Sequence, residues 1–333
     1  MKKIILLGLA TLFTLCRIFP LQKKKVVLLC RFPQWGSLGV LGDALEADPR
    51  GFRVLRIQNW RKLHTIYHLA TAGTIFLNDG FRPLAYFPIS KQAKVIQLWH
   101  ADGALKRWGA SAGESFPEAK RYTAVVCASE AIVPHWAEAF GISPARVLPL
   151  GSPQIDALRA NFAQEKIDGQ VVLWAPSFRG DNLAFLPEFD FTKLMQTLPN
   201  TTLWVRLHPK MQGHYVLPKG VVDVSDKNLS EIFQHCSRLI TDVSSIMVDA
   251  AALGLPVVIY AKLDEYSNCD RGFYTNLHAQ PPGPIAENFD DLLQLLAQPD
   301  NSQAARLNFT KHHAGAADGQ SCARIIRTLF SDQ

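Results

Sequence analysis

Short apolar runs recur along the chain at nearly even intervals, each ending in a glycine, a proline or a small polar residue. In the first half they read KVVLLC, FRVLRI, TIFLN, KVIQLW, AVVCAS and RVLPLG; in the second, VVLWAP, TLWVRLH, VVDVS, RLITD and PVVIY. Each is too short for a helix and rich in branched side chains, the pattern of a strand buried on both faces. Segments of helical period lie between them, among them Ser230–Cys236 and Ile246–Leu253. Strand and helix in alternation predict parallel sheets covered on both sides, and two such series predict two doubly wound, Rossmann-like α/β domains with an interdomain cleft. The polar, helix-like stretch Gly151–Gln170 carries the break, so the domains are expected at residues 23–160 and 161–333. The amphipathic tail SCARIIRTLF is expected to cross back to the first domain.

Residues 1–22 stand apart: a basic start, an apolar middle and then Lys23, Lys24 and Lys25. The apolar stretch is shorter than the ~20 residues a spanning helix needs. At helical spacing Lys3, Ala10, Thr11, Thr14 and Arg17 fall on one arc of about 120°, opposite Ile4, Ile5, Leu9, Leu12, Phe13 and Leu15. One reading is an interfacial helix held by the lysines on an anionic membrane surface. The other is a first helix packed on its own domain.

Charge narrows the choice of partner. A net charge of +6 favours anionic company, a nucleotide or a lipid headgroup. No dense basic stretch interleaved with aromatics points to nucleic acid. The six cysteines are scattered without a C-x-x-C pair and read as free thiols in a reducing compartment.

The candidate chemistry sits at strand ends, where open α/β sheets hold their ligands. RLITD closes a strand and SSIMVDAAALG opens a helix, so Thr241, Asp242, Ser244 and Ser245 fall at a helix N-terminus, with Asp249 one turn further on. Free N–H groups, the helix dipole and two hydroxyls suit a phosphate; plain capping by Asp242 or Ser244 is the alternative. In QLWHADGALKRWG, His100 follows a strand, with Asp102, Gly103, Lys106 and Arg107 close behind. This set offers a base, flexible backbone and cations for an anionic substrate. WVRLHPK repeats the plan with Arg206 and His208, and LWAPSFRGD with Ser177 and Arg179. His64 and His68 lack a third ligand and read as ordinary surface or core histidines, and His312–His313 as a loop or helix-end pair. No G-x-G-x-x-G, P-loop or G-x-S-x-G occurs, which argues against a dehydrogenase, an ATPase or a serine hydrolase.

Taken in order, QLWHADGALKRWG, LGSPQIDAL, LWAPSFRG, RLHPK, ITDVSSIMVDAAALGLPVVIY, RGFYTN, PPGPI and DGQSCARI resemble the CDP-glycerol glycerophosphotransferase family of teichoic-acid primases, polymerases and related capsule enzymes, from about Val26 to Phe330. The lysine-flanked N-terminus also resembles that family's membrane-associating start. The resemblance implies a GT-B-like fold and transfer of a polyol phosphate from CDP-glycerol or CDP-ribitol to a lipid-linked or polymer acceptor at the cytoplasmic face of the membrane. It gives His100 and His208 catalytic roles, and matches Thr241, Asp242, Ser244 and Ser245 to a phosphate-binding turn, with Arg271 in RGFY. In the reaction that follows, a hydroxyl attacks the phosphorus and CMP leaves. His100 serves as base, with His208, Arg271 and the two serines facing the developing charge. No metal and no cofactor are expected. The rival readings are a GT-B glycosyltransferase using a nucleotide sugar and a non-catalytic nucleotide- or membrane-binding module. Histidines at two separate strand ends argue against the latter.

Overall fold

The structure is a computed structural model that describes residues 2–31, 35–58, 60, 62–163, 169–177, 188–208, 211, 213, 215–264 and 272–331. The chain divides into two compact units. One comprises Met1–Asp102, Trp108–Ala157 and Gly315–Gln333, the other Gly103–Arg107 and Leu158–Ala314.

In the first unit, strands β1 (Gln22–Leu29), β2 (Arg53–Ile57), β3 (Ala72–Leu77), β4 (Lys94–Gln97), β5 (Ala124–Val126) and β6 (Val147–Leu148) form one sheet in the order β2-β1-β3-β4-β5-β6. Every pairing is parallel. All six residues of β3 are buried, because helices cover both faces and leave no polar side to the strand. Those helices include α1 (Lys2–Cys16), α2 (Gly36–Glu46), α3 (Leu63–Thr71) and α4 (Val133–Phe140), while α5 (Pro153–Asn161) spans the division at Ala157. Val26, Leu28, Leu38, Leu41, Phe76 and Ile96 share a core with Ile325, Ile326, Leu329 and Phe330 from the C-terminal segment. The last α-helix of the chain, Ser321–Leu329, is therefore part of this unit's interior.

The N-terminal helix combines features of both sequence readings. Along one side α1 packs on α3, and Phe13, fully buried, stacks on Phe87 with ring centroids 4.8 Å apart. Along the other side Leu7 and Leu15, with Ile18 just past the helix end, remain 72%, 59% and 80% exposed. Among the described residues no helix is long and apolar enough to cross a membrane. The lysine run needs one correction. Lys23 and Lys24 are exposed, but Lys25 opens the run of five buried residues with which β1 enters the sheet. Its ammonium donates to the Thr71 hydroxyl and lies 4.7 Å from the centre of the Tyr67 ring. Burial, with Arg53 nearby, pulls its pKa down to about 8.

The second unit repeats the plan with β7 (Gln170–Trp174), β8 (Thr201–Val205), β9 (Val222–Asp223), β10 (Arg238–Thr241), β11 (Val257–Tyr260) and β12 (Ile285–Ala286). The order β12-β11-β10-β7-β8-β9 is again parallel throughout. Its helices include α6 (Phe191–Thr197), α7 (Leu229–His235), α8 (Ile246–Ala252), α9 (Phe289–Ala297) and α10 (Gln303–Ala314). Three start on side-chain caps: Asp190, Asn228 and Asn288 accept N–H bonds from Lys193, Glu231 and Asp291 at 2.8–2.9 Å. Val172, Trp174, Leu203, Val205, Ile240, Val258 and Leu292 fill the core. Two doubly wound α/β units are thus present, as the spacing of apolar runs predicts. In each sheet the strand order reverses once, between β1 and β3 and between β7 and β10. Such a reversal opens a crevice at the carboxyl ends of the strands.

Candidate active site

In the first unit the reversal brings Arg31, just past β1, against Asn78 and Asp79, just past β3. The Arg31 guanidinium donates to Asp79 at 2.8 Å, and its N–H to the Asn78 side chain at 3.2 Å. His100, past the next strand, points Nδ1 at the Asn78 carbonyl at 3.2 Å, with an Asp79 oxygen 3.8 Å away. A carbonyl only accepts, so Nδ1 carries the proton and Nε2 is left as the basic nitrogen. Loss of water around the ring lowers the His100 pKa below its ordinary 6.5, and Arg31 pushes the same way. The Asp79 carboxylate and the Asn78 carbonyl oppose the shift. The net result is a neutral base at pH 7 with 37% of its side chain open to solvent.

The residue before it is under strain. Trp99 has φ 61°, the one positive value of a non-glycine side chain among the described residues. For a bulky residue this costs about 1–3 kcal/mol. Aromatic packing offsets it. The Trp99 ring stacks on Trp108 at 4.5 Å and meets Phe116 and Phe140 edge-on at 5.7 and 5.5 Å; such pairs contribute roughly 0.5–1.5 kcal/mol each. The fully buried Gln97 holds the same turn by its amide. It accepts from the Trp99 N–H at 2.9 Å and donates to the Asp79 carbonyl and the Tyr122 hydroxyl. The direction in which His100 leaves the sheet is therefore fixed by packing beneath it.

In the second unit the crevice between β7 and β10 is bridged by Asp242. One oxygen accepts the Ser177 N–H and the other the Ser177 hydroxyl, both at 2.8 Å. Thr241, also buried, donates its hydroxyl to the Ala175 carbonyl at 2.6 Å. Lys106, from the short excursion Gly103–Arg107, donates its ammonium to the Ser177 hydroxyl at 3.0 Å. Ser244 and Ser245 follow at the start of α8, half-buried, and Ser245 makes no capping bond with its side chain. Thr241 and Asp242 are committed to the β7 loop, and the serines follow them in the turn into α8. Arg206 and Asp249 form a separate neighbourhood. The guanidinium donates to the Lys227 carbonyl at 2.7 Å. Burial lowers its pKa, and the Asp249 carboxylate, itself buried on α8, counters that. His208 is exposed past β8, its carbonyl accepting the Met211 N–H. Arg179 and Arg271 lie outside the described residues.

Comparison with known proteins bears on this arrangement. The family model of CDP-glycerol:poly(glycerophosphate) glycerophosphotransferase matches residues 47–331. The chain belongs to this glycerophosphotransferase family. It is 32% identical over 301 residues to the teichoic acid ribitol-phosphate polymerase TarL of Staphylococcus aureus, covering 81% of this chain and 53% of that protein. It is 29% identical to the teichoic acid ribitol-phosphate primase of Bacillus spizizenii, covering 80% and 77%. The chain thus spans about half the length of the ribitol-phosphate polymerases it matches. The structure of the wall teichoic acid polymerase TagF shares the fold, with TM-score 0.80 at 20% identity over 99% of this chain and 95% of that one.

Two groups beside His100 escaped the sequence reading. Asn78 and Asp79 follow an apolar strand as directly as His100 does, so the same strand-end criterion would have found them. Asp102 carries a different message. Its carboxylate is half-buried and accepts the Ser152 hydroxyl at 2.8 Å, a hydroxyl that also caps α5 through the Ile155 N–H. Loss of hydration raises its pKa to about 6, with the Asp156 charge adding and the Ser152 bond opposing. Because the folded value lies above the ordinary 3.8, its contribution to stability is full below pH ~4 and is lost as pH rises through about 6. Asp102→Asn is accordingly expected to raise the urea midpoint of the first unit at pH 7, with the gain vanishing near pH 4. A variant less stable than wild type at both pH values contradicts this.

Proposed function

We propose that the protein transfers a polyol phosphate from CDP-glycerol or CDP-ribitol to a hydroxyl of a lipid-linked or polymeric acceptor, releasing CMP, in synthesis of a teichoic-acid or capsule-type polymer. The observation that carries this reading is the Lys106–Ser177–Asp242 chain at the reversal of the second sheet, beside Ser244 and Ser245, in a member of the CDP-glycerol family. Lys106, Ser177, Ser244, Ser245 and the N–H groups at the start of α8 hold the donor phosphates. Thr241 and Asp242 act through the β7 loop they brace. Arg206, with Asp249 beside it, and Arg179 and Arg271 supply further positive charge for the substrate.

The acceptor oxygen bonds to the phosphorus bearing the polyol while its proton passes to Nε2 of His100. The bond from that phosphorus to the bridging oxygen breaks, and CMP departs with the electron pair. His208 and Lys106 face the charge that develops. Reactions of this type need positioning and electrostatic support more than covalent help from the enzyme.

The exposed Leu7 and Leu15 of α1 and Ile18 just past it, with Lys23 and Lys24 nearby in the chain, support peripheral attachment to an anionic membrane, where a lipid-linked acceptor resides.

The test is product release from CDP-glycerol, CDP-ribitol and UDP-sugars with a lipid acceptor in anionic vesicles. CMP release from a CDP-polyol is expected, and loss of residues 1–21 is expected to abolish co-sedimentation with the vesicles. UDP release alone would favour a glycosyltransferase. His100→Ala should slow CMP release by ~10²–10⁴. Since only the neutral ring accepts a proton, the acid limb of the wild-type rate should inflect below pH 6.5, and Asp79→Asn should move it lower still. A limb above 6.5, or near-normal turnover without the imidazole, would remove His100 from the role of base.

A further inference from the structure

Lys106 reaches Ser177 from a five-residue excursion of the chain, and three things hold that excursion in place. The first is a short antiparallel pairing with the segment after Arg271. Arg107 N–H donates to the Gly272 carbonyl at 2.9 Å, Tyr274 N–H to the Leu105 carbonyl at 2.8 Å, and Lys106 pairs with Phe273. The second is close approach to α8. Gly103 has φ +81°, and a Cβ there would lie 2.8 Å from Val248 Cγ2 and 3.3 Å from His313 Nδ1. The third is His313 itself, in the last turn of α10 and only 1% exposed.

The hydrogen bonds around His313 determine its tautomer. Ala104 N–H donates to Nδ1 at 3.3 Å, so Nδ1 bears no proton and Nε2 does. Thr275 donates its single hydroxyl proton to the Ala104 carbonyl at 2.6 Å, and its oxygen faces Nε2 at 3.4 Å as acceptor. The three groups close a ring in which the imidazole reads both polar atoms of one residue, Ala104, directly and through Thr275. All three are buried, so leaving any member unpaired carries a desolvation cost. The Phe309 ring packs on the imidazole, tilted 52° to it with centroids 4.3 Å apart.

We infer that His313 is a positioning residue of the donor site: with Thr275 it locks the Gly103–Arg107 segment so that Lys106 meets Ser177. The inference rests on the proposed donor reading for its functional consequence and on the hydrogen-bond ring for its structural one. The two parts are tested separately on the full chain. Hydrogen exchange needs no ligand. His313→Leu should speed exchange of the Ala104 amide and its neighbours by about tenfold or more while β10 stays protected. Calorimetry with CDP-glycerol and CDP-ribitol should show binding weakened about tenfold. His313→Gln, which keeps one acceptor and one donor, should restore both readouts to within about threefold. Thr275→Val, a milder change should His313→Leu fold poorly, should reproduce the loss and fail to add to it in the double variant. Unchanged exchange and affinity in His313→Leu overturn the inference, as does a glutamine variant as impaired as the leucine one. If the wild type binds neither CDP-polyol, the donor reading falls and the exchange result alone decides whether His313 locks the segment.

Discussion

The Asp242 carboxylate is the constraint on which the second unit's site depends. Where strand order reverses between β7 and β10, the loops leaving the two strands diverge, and nothing in the sheet ladder ties them together. Asp242 closes that gap by accepting both the N–H and the hydroxyl of Ser177. With its lone pairs so engaged, it aims the serine oxygen at Lys106 and keeps a negative charge one residue behind the place where phosphate is proposed to sit. A carboxylate facing phosphate directly would repel it; one turned inward orders the donors that attract it. The neighbouring Thr241 bond to Ala175 secures the same loop from the other side.

The first unit solves a related problem by packing rather than by charge. His100 follows a tryptophan held in a backbone conformation that bulky residues avoid. A stack of tryptophan and phenylalanine rings, with the buried amide of Gln97, sustains it. The Asn78 carbonyl then fixes which nitrogen of the ring is basic. Both units thus place a polar side chain past a strand end and hold it through neighbouring groups.

The strands were legible because a strand buried on two faces reads as a short, mostly apolar run, as AGTIFL in β3 and VVIY in β11 do. β12, two residues long within a proline-rich stretch, carries no such signature. Three consecutive lysines look like a surface anchor, yet Lys25 already belongs to the buried run of β1, a boundary that the lysine run does not mark. That His100, Ser177 and Ser244 fall just past strands was legible too. What a linear reading could not supply were partnerships made across the fold. Asp242 meets a serine 65 residues away, and His313 meets Ala104 over a separation of 209. Backbone strain at Trp99 is equally silent, since tryptophan has no preference for that conformation.

The central claim is that the crevice between β7 and β10 is the donor-phosphate site. The most direct measurement is calorimetric affinity for CDP-glycerol and CDP-ribitol after replacing Ser244 and Ser245 together by alanine. Each lost hydrogen bond to a charged phosphate is worth roughly 1.5–3 kcal/mol, so binding should weaken by about tenfold or more with folding intact. Donor affinity equal to that of the wild type would mean the serines face no phosphate, and the site would have to be sought elsewhere in the chain.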